Sequence, residues 1–280
     1  KIKTKSVKSK LIEPNYAYVR ITQFQERTGQ DLAKALTKLR KENKFAFNGI
    51  ILDMRNNPGG LLNSSVAVSA AFLKDDKLVV YTEGRTQDSR MKLTTAPENF
   101  IRDNPTKNNY MRKLPQDIQD TPLVVLINNG SASASEIVAG ALQDHKRALI
   151  VGTRSFGKGS VQTILPMNNG TAIKLTTARY FTPNGRSIQG KGIDPDIIVE
   201  DGSEFLALRE SDLTNTLSNP QDKKKNEEGN LDNESSIDLP TSDGGEALRN
   251  FKPIELGGKD DKQFNEALNI LKGIDLYQKN

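Results

Sequence analysis

The sequence contains no cysteine, no tryptophan and a single histidine, His145, in 280 residues. Without cysteine there is no disulfide, no thiolate nucleophile and no zinc–thiolate site. That absence fits an oxidising compartment, where stray thiols are a liability, and equally a cysteine-free cytosolic protein. No run of eighteen apolar residues occurs, so no membrane-spanning helix is expected. The basic stretch Lys1–Lys10 (KIKTKSVKSK) is not followed by an apolar segment and so does not read as a signal peptide. The chain opens in strand-like sequence without an initiator Met, which reads as a fragment or processed product lacking an N-terminal part. Aromatics are few, six Tyr and ten Phe, and none sits in the run Lys223–Lys225. A net charge of +5 therefore reads as a solvated basic surface. Nucleic-acid binding would call for a basic stripe interleaved with aromatics.

What is present is an alternation of buried-strand and helix patterns. Residues 16–24 alternate apolar and polar and predict a strand, as do 77–82. The continuous apolar runs GIILDM at 49–54 and TPLVVLIN at 121–128 predict strands buried on both faces. Helical spacing occupies 30–44, 61–73 and 131–145, and a short strand is expected at 148–152. Residues 161–166 and 171–180 predict a hairpin turning at Asn168, Asn169 and Gly170. Residues 84–120 are polar and weakly periodic, and read as an excursion from the core. The expected fold class is α/β with substantial parallel pairing and a mixed sheet, the mixture coming from the antiparallel pair near 161–180. The core spans 1–205, with 1–13 as its first strand. A polar linker at 206–258, too poor in apolar residues to order itself, follows. A helix over 259–280 completes the chain, either packed on the core or docking a partner or second subunit.

Two segments invite chemistry. NNGSASASEI at 128–137 follows a buried strand and opens a helix, so a serine there sits where free N–H groups favour negative charge. Ser133 and Glu136 also match a plain capping box. GTRSFGKGSVQ at 152–162 places Lys158 between two glycines. It fits the first part of a phosphate-binding loop, but Gly159 stands where Ser or Thr is needed, and strand-like residues follow instead of a helix. A partly buried lysine loses basicity and accepts a proton; an exposed loop lysine is the plainer reading. Gln162, four residues on, shares a face with Lys158 if the segment is extended. His145 lies some twelve helical residues from Ser133, roughly 18 Å at the usual rise. A Ser-His-Asp triad is thereby disfavoured and a Ser-Lys pair is the remaining serine-based option. A non-catalytic scaffold and a nucleotide-binding module are the rival classes. Asp53 and Arg55 read as structural residues holding the turn at NPGG.

At these residues the sequence resembles the carboxyl-terminal processing, or tail-specific, proteases. The resemblance runs through GIILDMRNNPGG at 49–60, NNGSASASEIVAGALQD at 128–144, VGTRSFGKGSVQ at 151–162, ARYFTPNGRSIQGKGIDPDIIVE at 178–200 and FNEALNILKG at 264–273. It implies a ClpP/crotonase-like serine protease core with a C-terminal helical extension. It implies Ser133 as nucleophile, Lys158 as base and Gln162 as the residue orienting it. The oxyanion donors it implies are the N–H of Ala134 and of Gly59 or Gly60. No metal or organic cofactor is implied. The implied partners are protein or peptide substrates with apolar C-termini, a homo-oligomer formed through the terminal segments, and optionally an adaptor protein. The implied location is the bacterial periplasm or cell envelope. Members of this family carry a PDZ domain before the protease core, and this sequence begins about where that domain would end.

Overall fold

The computed structural model describes residues 5–201, 209–213, 216–222 and 255–279. In chain order the elements are β1 (Val7–Glu13), β2 (Tyr16–Ile21), α1 (Thr28–Asn43), β3 (Gly49–Asp53), α2 (Leu62–Ala70), β4 (Leu78–Gly84) and β5 (Lys92–Thr94). They continue with the single-turn α3 (Pro105–Asn108), β6 (Leu123–Ile127), α4 (Ala134–Asp144), β7 (Leu149–Gly152), β8 (Ser160–Pro166), β9 (Ala172–Phe181), β10 (Ile197–Ile198) and α5 (Lys262–Lys279).

Six strands form one sheet in the order β1-β2-β3-β6-β7-β10. All neighbours are parallel except β1 and β2. Every residue of β3 and β6 is buried, as the continuous apolar runs require. Alternation along each strand sends Ile50, Leu52, Leu123, Val125 and Ile127 toward one face and Ile51, Val124 and Leu126 toward the other. The first face packs on α1, α2 and α4 through Leu32, Leu36, Val66, Ile137, Val138 and Leu142. The second is covered by α5, whose Phe264, Ala267, Leu268 and Leu271 sit on Tyr16, Tyr18, Ile51, Val124, Leu126 and Val151. Among the described residues, then, the terminal helix packs on its own sheet.

The antiparallel pair at 160–181 does not join the parallel sheet. It belongs to a second, four-stranded antiparallel sheet ordered β5-β4-β9-β8. The six-stranded sheet is mixed because of the β1–β2 hairpin instead. Residues 84–120 also depart from expectation. They contribute Phe100, Ile101 and Ile118 to the main core, each less than one-tenth exposed. Isolated apolar anchors spaced along short turns leave no periodicity for a sequence reading to detect. Most of the expected linker at 206–258, including Lys223–Lys225, lies outside the described residues, as do 1–4 of the expected first strand. Of the linker residues that are described, Asn219 is buried and donates to the Gln189 carbonyl at 2.8 Å.

Candidate active site

Three adjacent parallel strands, β3, β6 and β7, deliver three loops to the same edge of the sheet. They are the NNPGG loop, the Ser133 loop and the Lys158 loop. The carboxyl ends of parallel strands are where α/β folds place their ligands, because the loops there are free of the sheet's packing.

The first two loops are bound into one unit. Ser131 Oγ donates to the Met54 carbonyl at 2.9 Å, joining the ends of β6 and β3. The Asn57 carbonyl accepts from Ala132 N at 3.0 Å and from Ser135 Oγ at 2.9 Å. Asn57 is fully buried, and its side chain donates to the Ile21 carbonyl and accepts from Gly59 N. Gly59 has φ +98°, and a Cβ there would lie 2.8 Å from Ser133 Cβ and 2.9 Å from Ala134 N. The glycine is required because the loop is pressed against the serine.

Ser133 is half-buried and caps α4 with φ 54° and ψ −111°. A non-glycine residue at such a φ carries roughly 1–3 kcal/mol of strain, which surrounding contacts must hold. They do. Glu136, with no exposed surface, accepts from Ser133 N at 2.7 Å through Oε2. This is the Glu half of the expected capping box, but the carboxylate does more. The same Oε2 accepts from Lys158 N at 2.9 Å. Oε1 accepts from Gly157 N and from Ser155 Oγ, both at 2.6 Å. One buried carboxylate therefore straps the serine loop to the lysine loop, and the Ser133 and Lys158 nitrogens are no farther apart than two hydrogen bonds end to end. Burial pushes Glu136 up to about 7 against the pull of these four donors.

The same contacts explain why the Lys158 loop is not a phosphate cradle. The N–H groups of Gly157 and Lys158 that would hold a phosphate are occupied by Glu136. The chain then enters β8, not a helix. Gly157 adopts φ +100°, and at Gly159 a Cβ would lie 2.3 Å from Gln189 N, so both neighbours of Lys158 are glycines for steric reasons. Lys158 itself is half-buried. Among the described residues its ammonium makes no hydrogen bond or ion pair, and none joins it to Ser133 Oγ. Burial raises the pKa of Tyr180, and its interaction with the Ser133 side chain draws it partly back. Gln162 lies in β8 opposite Thr176 with its side chain exposed, and no hydrogen bond joins it to Lys158.

Of the expected oxyanion donors, Gly59 N–H is spent on Asn57 Oδ1 at 3.0 Å. Gly60 is exposed and its N–H, like that of Ala134, makes no hydrogen bond among the described residues. His145 closes the far end of α4 and its Nε2 is bonded to the Leu78 carbonyl at 2.7 Å, away from Ser133. Asp53 and Arg55 are buried, as structural residues should be, but their reach goes beyond the turn. Arg55 forks onto both Asp53 and Asp261, the residue that leads into α5, at 2.6–3.1 Å. Burial opposes the Arg55 charge, and the two carboxylates outweigh it, holding its pKa above the ordinary arginine value. Among the described residues no group of three or more His, Asp or Glu is placed to hold a metal ion.

Glu136, Asn57, Ser155 and Tyr180 were not singled out as site residues by the sequence. Glu136 was visible there only as a capping residue, and nothing in linear spacing joins it to Lys158.

The family model described as Peptidase family S41 matches residues 15–199. A carboxy-terminal-processing protease of Bartonella bacilliformis is 41% identical over 279 residues, covering 97% of this chain and 55% of that protein. A carboxyl-terminal-processing protease of Synechocystis is 39% identical over 183 residues, 65% of this chain and 38% of that protein. The solved structure of a photosystem II D1 C-terminal processing protease superposes with a TM-score of 0.55 at 32% identity, covering 71% of this chain and 49% of that one. The chain thus spans about half or less of the length of these relatives. On the extent of the family match, the chain belongs to peptidase family S41.

Proposed function

We propose that the protein of which this chain is part is a serine endopeptidase that cleaves polypeptides near their C-terminal tails, using Ser133 as nucleophile and Lys158 as general base on a ClpP/crotonase-like core. The observation that carries this reading is the Glu136 carboxylate, which holds the backbones of Ser133 and Lys158 to one oxygen.

Neutral Lys158 takes the Ser133 proton as Oγ attacks the scissile carbonyl. The N–H groups of Ala134 and Gly60 receive the oxyanion, Gly59 serving as the close-packed wall behind the serine. The lysine then protonates the leaving amine and activates the water that releases the acyl-enzyme. Catalytic hydrogen bonds commonly tighten only when substrate is bound. The approach of the Lys158 amine to Ser133 Oγ belongs to that step, with Gln162 orienting the amine. Family likeness extends the proposal to substrates with apolar C-termini, to self-association through the terminal segments and to a bacterial periplasmic or envelope location.

The test is substitution with two readouts. Ser133→Ala and Lys158→Ala should each abolish peptide cleavage while leaving the circular dichroism spectrum unchanged, and a fluorophosphonate probe should label Ser133 in the parent chain only. Near-normal turnover in Lys158→Ala would rule the pair out.

A further inference from the structure

A general base works only from a fixed position, yet Lys158 sits between two glycines, which restrain a chain least. The backbone partners of residues 156–159 show what supplies the restraint instead. From the serine loop, the Ser131 carbonyl accepts from Phe156 N at 3.0 Å, and Glu136 accepts from Gly157 N and Lys158 N. From elsewhere, Glu210 N donates to the Phe156 carbonyl at 3.0 Å, Gly190 N to the Gly157 carbonyl at 2.8 Å and Tyr180 N to the Gly159 carbonyl at 2.8 Å. The remaining donor, Gly159 N, goes to a side chain, Gln189 Oε1, at 3.1 Å.

Gln189 has no exposed surface. An apolar side chain would fill its place without bringing buried polar atoms that must be paired. Both polar atoms of the Gln189 side chain are used. Oε1 accepts from Gly159 N, and Nε2 donates to the Leu217 carbonyl at 3.1 Å and to Glu210 Oε1 at 3.4 Å. A side-chain amide offers an acceptor and two donors at once, which is what this position requires. The Gln189 carbonyl in turn accepts from Asn219 Nδ2 at 2.8 Å. Asn219 is itself buried, and its Oδ1 accepts from Gln221 N at 2.9 Å.

The packing is as close as the bonding. A Cβ at Gly159 would lie 2.3 Å from Gln189 N, and one at Gly157 would lie 3.1 Å from Gly190 C. Residues 189 and 190 therefore press on both glycines that flank Lys158. They are themselves tied to residues 210–219, which follow the last strand of the sheet, β10. Two independent parts of the chain thus grip the lysine peptide, the serine loop through Glu136 and residues 210–219 through Gln189.

We infer that Gln189 is a positioning residue for Lys158, and that residues 210–219, bonded to it through Leu217 and Asn219, complete the support that sets the lysine against Ser133. This rests on the peptidase reading above. Loss of the Gln189 amide leaves Gly159 N–H without its acceptor and frees the peptide that follows the lysine. Ser133 N and Lys158 N keep their bonds to Glu136. The defect therefore falls on the proton transfer and spares the binding of substrate.

The test compares the full chain with Gln189→Ala, Asn219→Ala and Ile118→Val. The last deletes one methyl group from the main core and controls for lost stability alone. Peptide turnover is measured per Ser133 labelled by a fluorophosphonate at completion, and amide hydrogen exchange is followed in the segment 157–160. Gln189→Ala should lower kcat by roughly a hundredfold, the effect of about 1 Å of misplacement, while KM holds. Exchange at Gly159 should quicken in the same variant. Asn219→Ala loosens Gln189 at one remove and should show the same split with a smaller loss. Ile118→Val should keep its kcat although its melting temperature falls. An equal loss of kcat in Ile118→Val makes Gln189 a merely structural residue and overturns the inference. Quickened exchange with kcat intact overturns it too, as does a rise in KM in place of the fall in kcat. An Asn219→Ala chain that behaves as the parent overturns the role given to residues 210–219. A parent chain that protects Gly159 from exchange yet neither labels nor cleaves overturns the peptidase reading, and the inference with it. Exchange reads the Gln189 contact without turnover, so the two failures are told apart.

Discussion

Replacing Glu136 by Gln tests the strap that joins the Ser133 and Lys158 loops. Burial raises the carboxyl from its ordinary 4.5 to about 7. Because the folded pKa lies above the unfolded one, the folded state binds more protons across that interval. The stabilising contribution of the group is complete below pH 4.5 and is lost as pH rises through 7. At roughly 1.4 kcal/mol per pH unit the loss is about 3 kcal/mol. Gln is neutral and does not incur this loss. It has only one acceptor oxygen, however, for a site with three N–H donors on two oxygens. Leaving a buried N–H unpaired costs about 1–3 kcal/mol. The two effects nearly cancel above pH 8, so the variant should melt close to the parent there and well below it at pH 5. Its activity should not be spared. Release of either loop misplaces Ser133 against Lys158, and a displacement of about 1 Å is worth about a hundredfold in rate. Melting curves from pH 5 to 9 and peptide turnover at pH 8 measure both. A variant that keeps its full turnover, or whose melting temperature follows the parent's at every pH, would refute the reasoning.

Asp261→Ala should destabilise the chain by about 3–5 kcal/mol, since it leaves part of the buried Arg55 charge unpaired, and the melting temperature should fall on the order of 10 °C. The partnership with Arg55 holds the Asp261 pKa below its usual value against the opposing effect of burial. The stability it contributes is therefore present above the unfolded carboxylate range and lost as pH falls through the depressed value. Acid titration of the parent should show that loss, and titration of Asp261→Asn should not. Gly59→Ala should lower turnover more than it lowers binding, because the added Cβ meets Ser133 Cβ at 2.8 Å and Ala134 N at 2.9 Å; kcat and KM measured separately would show it. Tyr180→Phe should leave the fold intact and change the rate of Ser133 labelling, since it removes the hydroxyl that interacts with the Ser133 side chain.

Much of this architecture is legible in the sequence because short-range chemistry dictates it. The buried runs at 49–53 and 123–127 read as strands because only a strand covered on both faces is apolar at every position. Helices α1 and α4 read from their spacing, and the glycines around Lys158 and after Pro58 advertise close backbone approach. The candidate residues Ser133 and Lys158 stand out because both lie just beyond a buried strand. The sheet to which residues 160–181 belong was not legible, since alternation in a hairpin gives the pairing of its two strands and says nothing of the third. Nor were the core roles of Phe100, Ile101 and Ile118, which are single anchors without a period.

The sequence by itself determined which loops follow which strands, and so which residues could carry chemistry. Tertiary structure alone decided how those loops meet. Glu136 is a helix cap in one dimension and becomes, in three, the acceptor shared by Ser133 and Lys158, twenty-two residues from the lysine it holds. Arg55 is a turn residue in one dimension and becomes the anchor of a helix 206 residues away through Asp261. Both depend on contacts between elements adjacent in space and distant in sequence, and such contacts arise only once parallel strands have set the loops side by side.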